Sequence, residues 1–239
     1  MIAQAVFGIL FVAAIALFAR SVRRVVRNIR LGRPQPINDR KPERWRTMAL
    51  VALGQSKMVA RPVAGIMHIL IYAGFVIINL EVAEIVIDGL FGTHRIGAFL
   101  GGFYDFLIGS FEVLAVGVLL ACVVFIARRA VLQLPRFRSP DLKGWPSRDA
   151  MIILVTEIVL MCAFLTMNAA DYALQGLGAE HYIRAGSFPV SSGIAKALGL
   201  ASLQPAALVT IERANWWLHI VGILAFLNYL PCSKHFHII

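Results

Sequence analysis

The stretch Glu212–Ile239, ERANWWLHIVGILAFLNYLPCSKHFHII, decides how the rest of the chain is read. It is apolar enough for a helix in lipid, and it carries His219 in its body and His235 and His237 at its far end. At ~100° per residue, the step from His219 to His237 closes about five whole turns. The two imidazoles therefore share one face, ~27 Å apart along an unbroken helix, and His235 points roughly the opposite way. An ionisable ring in a membrane helix is costly unless it faces the bundle and finds a partner, and neutral imidazole is a good iron ligand. The spacing suits two stacked haems, one near each face of a bilayer. The plainer alternative makes His219 a hydrogen-bonded core residue and leaves His235 and His237 among lipid headgroups.

Composition fits a membrane setting. The 239-residue chain is 59% hydrophobic and 15% charged, with mean hydropathy +0.76, the profile of a polytopic membrane protein and not of a soluble enzyme. A formal charge of +10 would suit nucleic acid, but the basic residues fall mainly in two loops between apolar spans, where topology accounts for them. Cys122, Cys162 and Cys232 are too scattered for a zinc or iron–sulfur signature, and the first two lie in apolar spans as small hydrophobes. Residues 2–19 are apolar, with no positive residue before them and arginines just after, as in an uncleaved anchor.

The expected fold is all-α, a bundle of five spans near 2–20, 60–88, 105–128, 149–173 and 206–232, each long enough for a ~30 Å hydrocarbon core. Ten Lys and Arg lie from Arg20 to Arg46, and six more from Arg128 to Arg148. The other two loops hold only Arg95, then Arg184 and Lys196. The positive-inside rule then places the N-terminus outside and both basic loops and the C-terminus in the cytoplasm. Contact with anionic lipid explains those loops, and pairing with haem propionates or docking of a redox partner is a further use for them.

The second span decides between the readings of His219. Its approach, GQSKMVARPVAGIMHILIYAGF, holds Pro62 and the span's single histidine, His68. The second and fifth spans run in opposite directions, so His68 and His219 meet near mid-membrane, and two facing imidazoles are what a low-spin b haem requires of its protein. Gly65 and Gly222, one turn from each ring, would let a flat macrocycle approach the backbone, although glycine also serves helix packing. For a second haem His237 has no histidine partner, and Met58 is available, since Met with His is a known pair; alone, Met58 reads equally as a gap-filler. Pro231 removes a donor to the Leu227 carbonyl and can rotate His235 inward in place of His237.

Carboxylates inside spans are rare without a role. Glu81, Glu84 and Glu112 form an outer group placed to exchange protons with a quinone, whose two-electron chemistry moves two protons; Asp105 and Asp171 also lie toward the outer ends, and Glu157 is the deepest. The outer loop 174–205 holds a helical stretch, Gly193–Leu203, expected to lie on the surface as a lid. His94 and His181 are loop histidines expected in solvent, and Trp216 and Trp217 suit an interfacial aromatic belt.

Five spans, a histidine in the second and two histidines eighteen apart on the fifth resemble the cytochrome b (gamma) subunit of respiratory nitrate reductase, over nearly the whole chain. GQSKM…GIMH and YLPCSKHFH resemble more closely the membrane portion of heterodisulfide-reductase-type iron–sulfur oxidoreductases, including those linking electron-transfer flavoprotein to menaquinone. The resemblance implies that His68 and His219 hold an outer haem b and that His237 is one ligand of an inner haem, with Met58 in the place of its other histidine. It implies menaquinone or ubiquinone as substrate, and iron–sulfur clusters on a cytoplasmic subunit or a following domain. The chain is then a multi-pass protein of a prokaryotic cytoplasmic membrane, an oxidoreductase subunit carrying electrons between that partner and the quinone pool. Two rivals differ in what they predict: a cofactor-free proton or solute transporter has a polar cavity and no visible absorbance, and a structural anchor keeps its activity without His68.

Overall fold

The computed structural model describes residues 1–58 and 61–238, without the side chains of Arg136, Arg138, His237 and Ile238. Among the described residues the chain is all-helical, as its apolar runs require. Four helices are long and apolar enough to cross a membrane: α1 (Ile2–Ile29), α3 (Pro62–Phe91), α4 (Gly102–Ala130) and α5 (Trp145–Gly176). Between the first two, a short α2 (Lys41–Met48) runs into a π-helical turn, Ala49–Leu53, and is almost wholly exposed. The expected fifth span corresponds to α7 (Pro205–Tyr229), a 25-residue helix that carries Glu212, Arg213, Asn215 and Asn228 and is not among those four. Pro62, Pro146 and Pro205 each stand in the first turn of their helix, where no intrahelical donor is lost. At the other end of α3, Gly92 closes the helix with φ +71, donating to the Asp88 carbonyl, a conformation that suits glycine.

α5 is the centre. It packs against α4 and α7, while α3 packs on α4 and α1, and α1 also touches α7. The core they share includes Ile108, Phe111, Ala115, Phe164 and Ile220. α1 buries only Phe7 and Ala14 and turns the rest of its apolar surface outward, which suits lipid. Phe7 meets Trp216 edge-on at 5.3 Å and Trp217 at 6.2 Å. Trp216 is therefore buried in the bundle and not part of an interfacial belt. A Cβ on Gly89 would stand 2.7 Å from the Phe7 ring, so α1 and α3 cross closely there.

Two expectations need correction. The unbroken helix through Ile239 does not form: α7 ends at Tyr229, and the 3-10 turns Leu230–Cys232 and Lys234–Ile238 follow, separated by an extended Ser233. Pro231 has no N–H to give the Leu227 carbonyl, so the ladder stops. The straight-helix register that put His219 and His237 on one face is lost with it, and the His237 side chain lies outside the described residues. The loop helix is also different. It is α6 (Ser191–Ala197), followed by the 3-10 turn Leu200–Ser202, so it begins earlier and does not run unbroken to Leu203; it lies on α5 with Ser191, Ala195 and Leu200 buried and Lys196, Ala197 and Leu198 exposed.

Candidate functional site

Four of the sequence-predicted donors, Met58, His68, His219 and His235, line two adjoining cavities between α3, α4, α5, α7 and the turns after it. The larger, about 570 Å³, is mostly apolar, and its wall includes Met58, His68 and His235, with Arg129 and Lys234 as cations. The smaller, about 70 Å³, is lined by Gly74, Ile78, Leu160 and His219. Ile71, Phe75 and Glu157 line both, so the two form one column. His68 thus shares a cavity with His235 and Met58, while His219 stands beside Gly74 and Ile78, about two turns along α3 from His68.

His219 is 1% exposed. Its Nδ1 lies 2.9 Å from the Leu160 carbonyl, which can only accept, so Nδ1 carries the hydrogen and Nε2 presents its lone pair. That buried Nε2 has no hydrogen-bond partner. The Phe164 ring, at 5.7 Å, and the Leu160 bond fix the imidazole's orientation. Gly222, one turn on, faces Leu160, whose Cδ2 would be 2.6 Å from a Cβ there, and Gly74 faces Val118 in the same way at 2.5 Å. Both glycines therefore serve close helix packing.

His235 is positioned by a clamp that sequence reasoning missed. Asp149, 2% exposed near the start of α5, accepts hydrogen bonds from Tyr229 Oη and, at 3.0 Å, from the Lys234 amide. Lys234 Nζ donates to the Pro146 carbonyl at 2.9 Å. Phe226 and Phe75 flank the His235 ring at 5.7 and 6.3 Å. The available signal was a carboxylate just inside an apolar span, close to a Pro-interrupted helix end.

The opposite end of the bundle is polar and is organised by Arg95, which the sequence marked only as a lone loop cation. Arg95 is 6% exposed. It donates through Nε to Asp171 at 2.7 Å, through Nη2 to Asn168 at 2.9 Å and through Nη1 to Tyr104 at 3.3 Å. Burial works against its charge, but Asp171, Tyr104 and Glu81 outweigh that and hold the guanidinium well above its ordinary pKa. His94, expected in solvent, is instead packed inward with Nε2 3.2 Å from Asp171, whereas His181 is exposed.

The three carboxylates expected as a proton group divide. Glu84 accepts from the Gly97 amide at 2.7 Å and Tyr104 Oη at 2.8 Å. Glu112 accepts from the Val190 and Ser191 amides at 2.9 and 3.1 Å and from Asn168 at 3.3 Å, holding α6 in place. Glu81 has the Arg95 guanidinium 3.9 Å from Oε1. Glu81 and Glu84 line a small cavity together with His94 and Arg95, and Glu112 is not on its wall.

No family model matches the chain, and no solved structure matches it. It is similar to two curated proteins. It is 28% identical over 240 residues to a probable iron-sulfur-binding oxidoreductase, FadF, of Bacillus subtilis, across 100% of this chain and 32% of that protein. It is 23% identical over 205 residues to an EtfAB:quinone oxidoreductase of Syntrophomonas wolfei, across 84% of this chain and 27% of that one. Both relatives are oxidoreductases by name. The chain spans a third or less of their length. With four apolar helices, it is a multi-pass membrane protein similar to oxidoreductases.

Proposed function

We propose that the chain is the membrane part of a quinone-linked iron–sulfur oxidoreductase, and that the column between α3, α4, α5 and α7 holds haem b. The observation that carries this is His219, a fully buried imidazole oriented through Nδ1 with Nε2 unpartnered at the cavity it lines. A buried unpaired nitrogen costs about 1–3 kcal/mol, and an iron ligand removes that cost. Among the described residues no three His, Cys, Asp or Glu side chains gather to hold a metal ion themselves. The donors present, imidazoles and a thioether spread along an apolar column, suit an iron that brings its own macrocycle. The 570 Å³ cavity is of cofactor size, and Arg129 and Lys234 on its wall suit propionates. When bound, the haem supplies one-electron transfer.

The chain's own groups do the rest. His68, His219 and His235 would hold the haem iron, Leu160 fixes the tautomer of His219, and the apolar wall excludes water. The names of the relatives favour an iron–sulfur domain or subunit, with electron-transfer flavoprotein behind it, on one side and the quinone pool on the other. Against a transporter stands the polar end itself, where the charged groups bond one another around a cavity of only about 40 Å³.

The test is a dithionite-reduced minus oxidised spectrum of the protein purified with haem supplied, with a pyridine haemochrome count, on wild type and on Ala variants of His68, His219, His235, His237 and Met58. A b-type α-band is expected, lost or halved in His219→Ala. Shared loss in His68→Ala and His219→Ala gives the pairing that the family resemblance implies. Shared loss in His68→Ala and His235→Ala gives the pairing that the larger cavity implies. A wild-type protein without the band overturns the reading.

A further inference from the structure

Glu81 Oε2 and His94 Nδ1 are buried without a hydrogen-bond partner, and both residues line the same cavity at the Arg95 end of the bundle. The neighbouring carboxylates are otherwise engaged: Glu84, Asp88, Glu112, Asp171 and Glu212 each accept hydrogen bonds at both oxygens. Glu81, only 3% exposed, has Oε1 3.9 Å from Arg95 Nη1 and nothing on Oε2. The His94 side chain is 8% exposed. Its Nε2 faces Asp171, which only accepts, so Nε2 carries the hydrogen and Nδ1 is left to take one. The cavity measures about 40 Å³. That admits water, which needs at least ~10–15 Å³, and falls far below the ~300 Å³ of small-molecule sites. A quinone ring does not fit; a proton carrier does.

We propose that Glu81 carries an exchangeable proton and trades it with His94 through water held in this cavity, so that the Arg95 end is the proton port of the quinone reaction. The link to quinone rests on the function proposed above. Reducing a quinone with two electrons from the iron–sulfur partner consumes two protons. Each leaves by breaking the Glu81 O–H, passes through water to the quinone outside the cavity, where a quinol O–H forms, and is replaced through water from His94, whose Nδ1 first takes a proton from solvent; oxidation of quinol reverses every step. Arg95 stabilises the ionised Glu81 that each departure leaves behind.

Infrared difference spectroscopy of the purified protein in H2O and D2O tests this on wild type, Glu81→Gln and His94→Asn. Wild type should show a protonated-carboxyl stretch that shifts promptly in D2O, and Glu81→Gln should lack that component. His94→Asn should keep it but exchange at least ten-fold more slowly. Quinone-linked electron transfer should fall about a hundred-fold in Glu81→Gln, with the visible spectrum unchanged. A stretch unaltered by Glu81→Gln overturns the proposal, and so does full turnover once the stretch is gone. Should Glu81→Gln not fold, wild-type exchange in His94→Asn is equally fatal. An absent haem band removes the electron-transfer reading, while the infrared result still decides the proton site.

Discussion

Arg95 neutralises Asp171 at 2.7 Å, faces Glu81 at 3.9 Å and lies over the Phe188 ring at 4.9 Å, all within a buried cluster rich in carboxylates. Removing it strands buried anions, a loss of about 3–5 kcal/mol for a broken buried pair. Arg95→Ala should therefore lower the thermal unfolding midpoint in detergent sharply. Arg95→Lys, which keeps the charge but loses the planar fork shared by Asp171 and Asn168, should fall between. Equal midpoints for wild type and Arg95→Ala would show that the cluster does not hold this end together. Glu112 tests a different kind of burial. Its 0% exposed carboxylate satisfies the Val190 and Ser191 amides, so Glu112→Ala leaves donors unpaired at about 1–3 kcal/mol each. Hydrogen exchange at those two amides should accelerate by at least ten-fold, with α3 amides far less affected; unchanged protection would mean that Glu112 does not hold α6.

The end of α7 shows at the scale of an element what the sequence does and does not reveal. The long apolar helices are legible because lipid demands runs of this length and composition, and Pro231 marks a disturbance because it lacks one N–H of the ladder, but not the full break that the structure has. The clamp that fixes the new direction is not legible, because Asp149 and Lys234 stand 85 positions apart and meet only through the packing of α5 on α7. Arg95 and Asp171 are 76 positions apart for the same reason, and periodicity carries no record of such pairs. The histidines are legible in the sequence as candidate ligands, whereas the placing of His235 in the same cavity as His68 depends on where Pro231 turns the chain. Asp149→Ala should release that turn. Hydrogen bonds to a charged acceptor are worth about 1.5–3 kcal/mol, so the Lys234 amide should lose at least ten-fold of its exchange protection, and Tyr229→Phe less. A Lys234 amide as protected as in wild type would place the turn's stability elsewhere.

Across the whole molecule charge is polarised along the bundle axis. Asn228 near the end of α7 donates to the Ala14 carbonyl of α1 at 3.2 Å, while Phe7 meets Trp216 nearer the start of α7, so α1 and α7 run in the same direction. The arginines from Arg20 to Arg27 then fall at the end where Lys234 bonds Pro146 and Arg129 donates to Ser147, while Glu81, Glu112, Asp171 and Glu212 are buried toward the other, Asp149 being the buried carboxylate of the basic end. Anionic lipid and the cost of moving Lys and Arg across a bilayer both favour the basic end in the cytoplasm. Cys232 is exposed at that end and Cys162 is exposed midway along apolar α5, where lipid would cover it. A membrane-impermeant maleimide should therefore label Cys232 in inside-out vesicles and not in intact spheroplasts, and Cys162 in neither. Glu180→Cys, in the exposed loop of the opposite end, should label in spheroplasts alone. The reverse pattern would invert the protein in the membrane. It would also move the docking face proposed for an iron–sulfur partner to the carboxylate-rich end, where the loops carry only Arg95, Arg184 and Lys196.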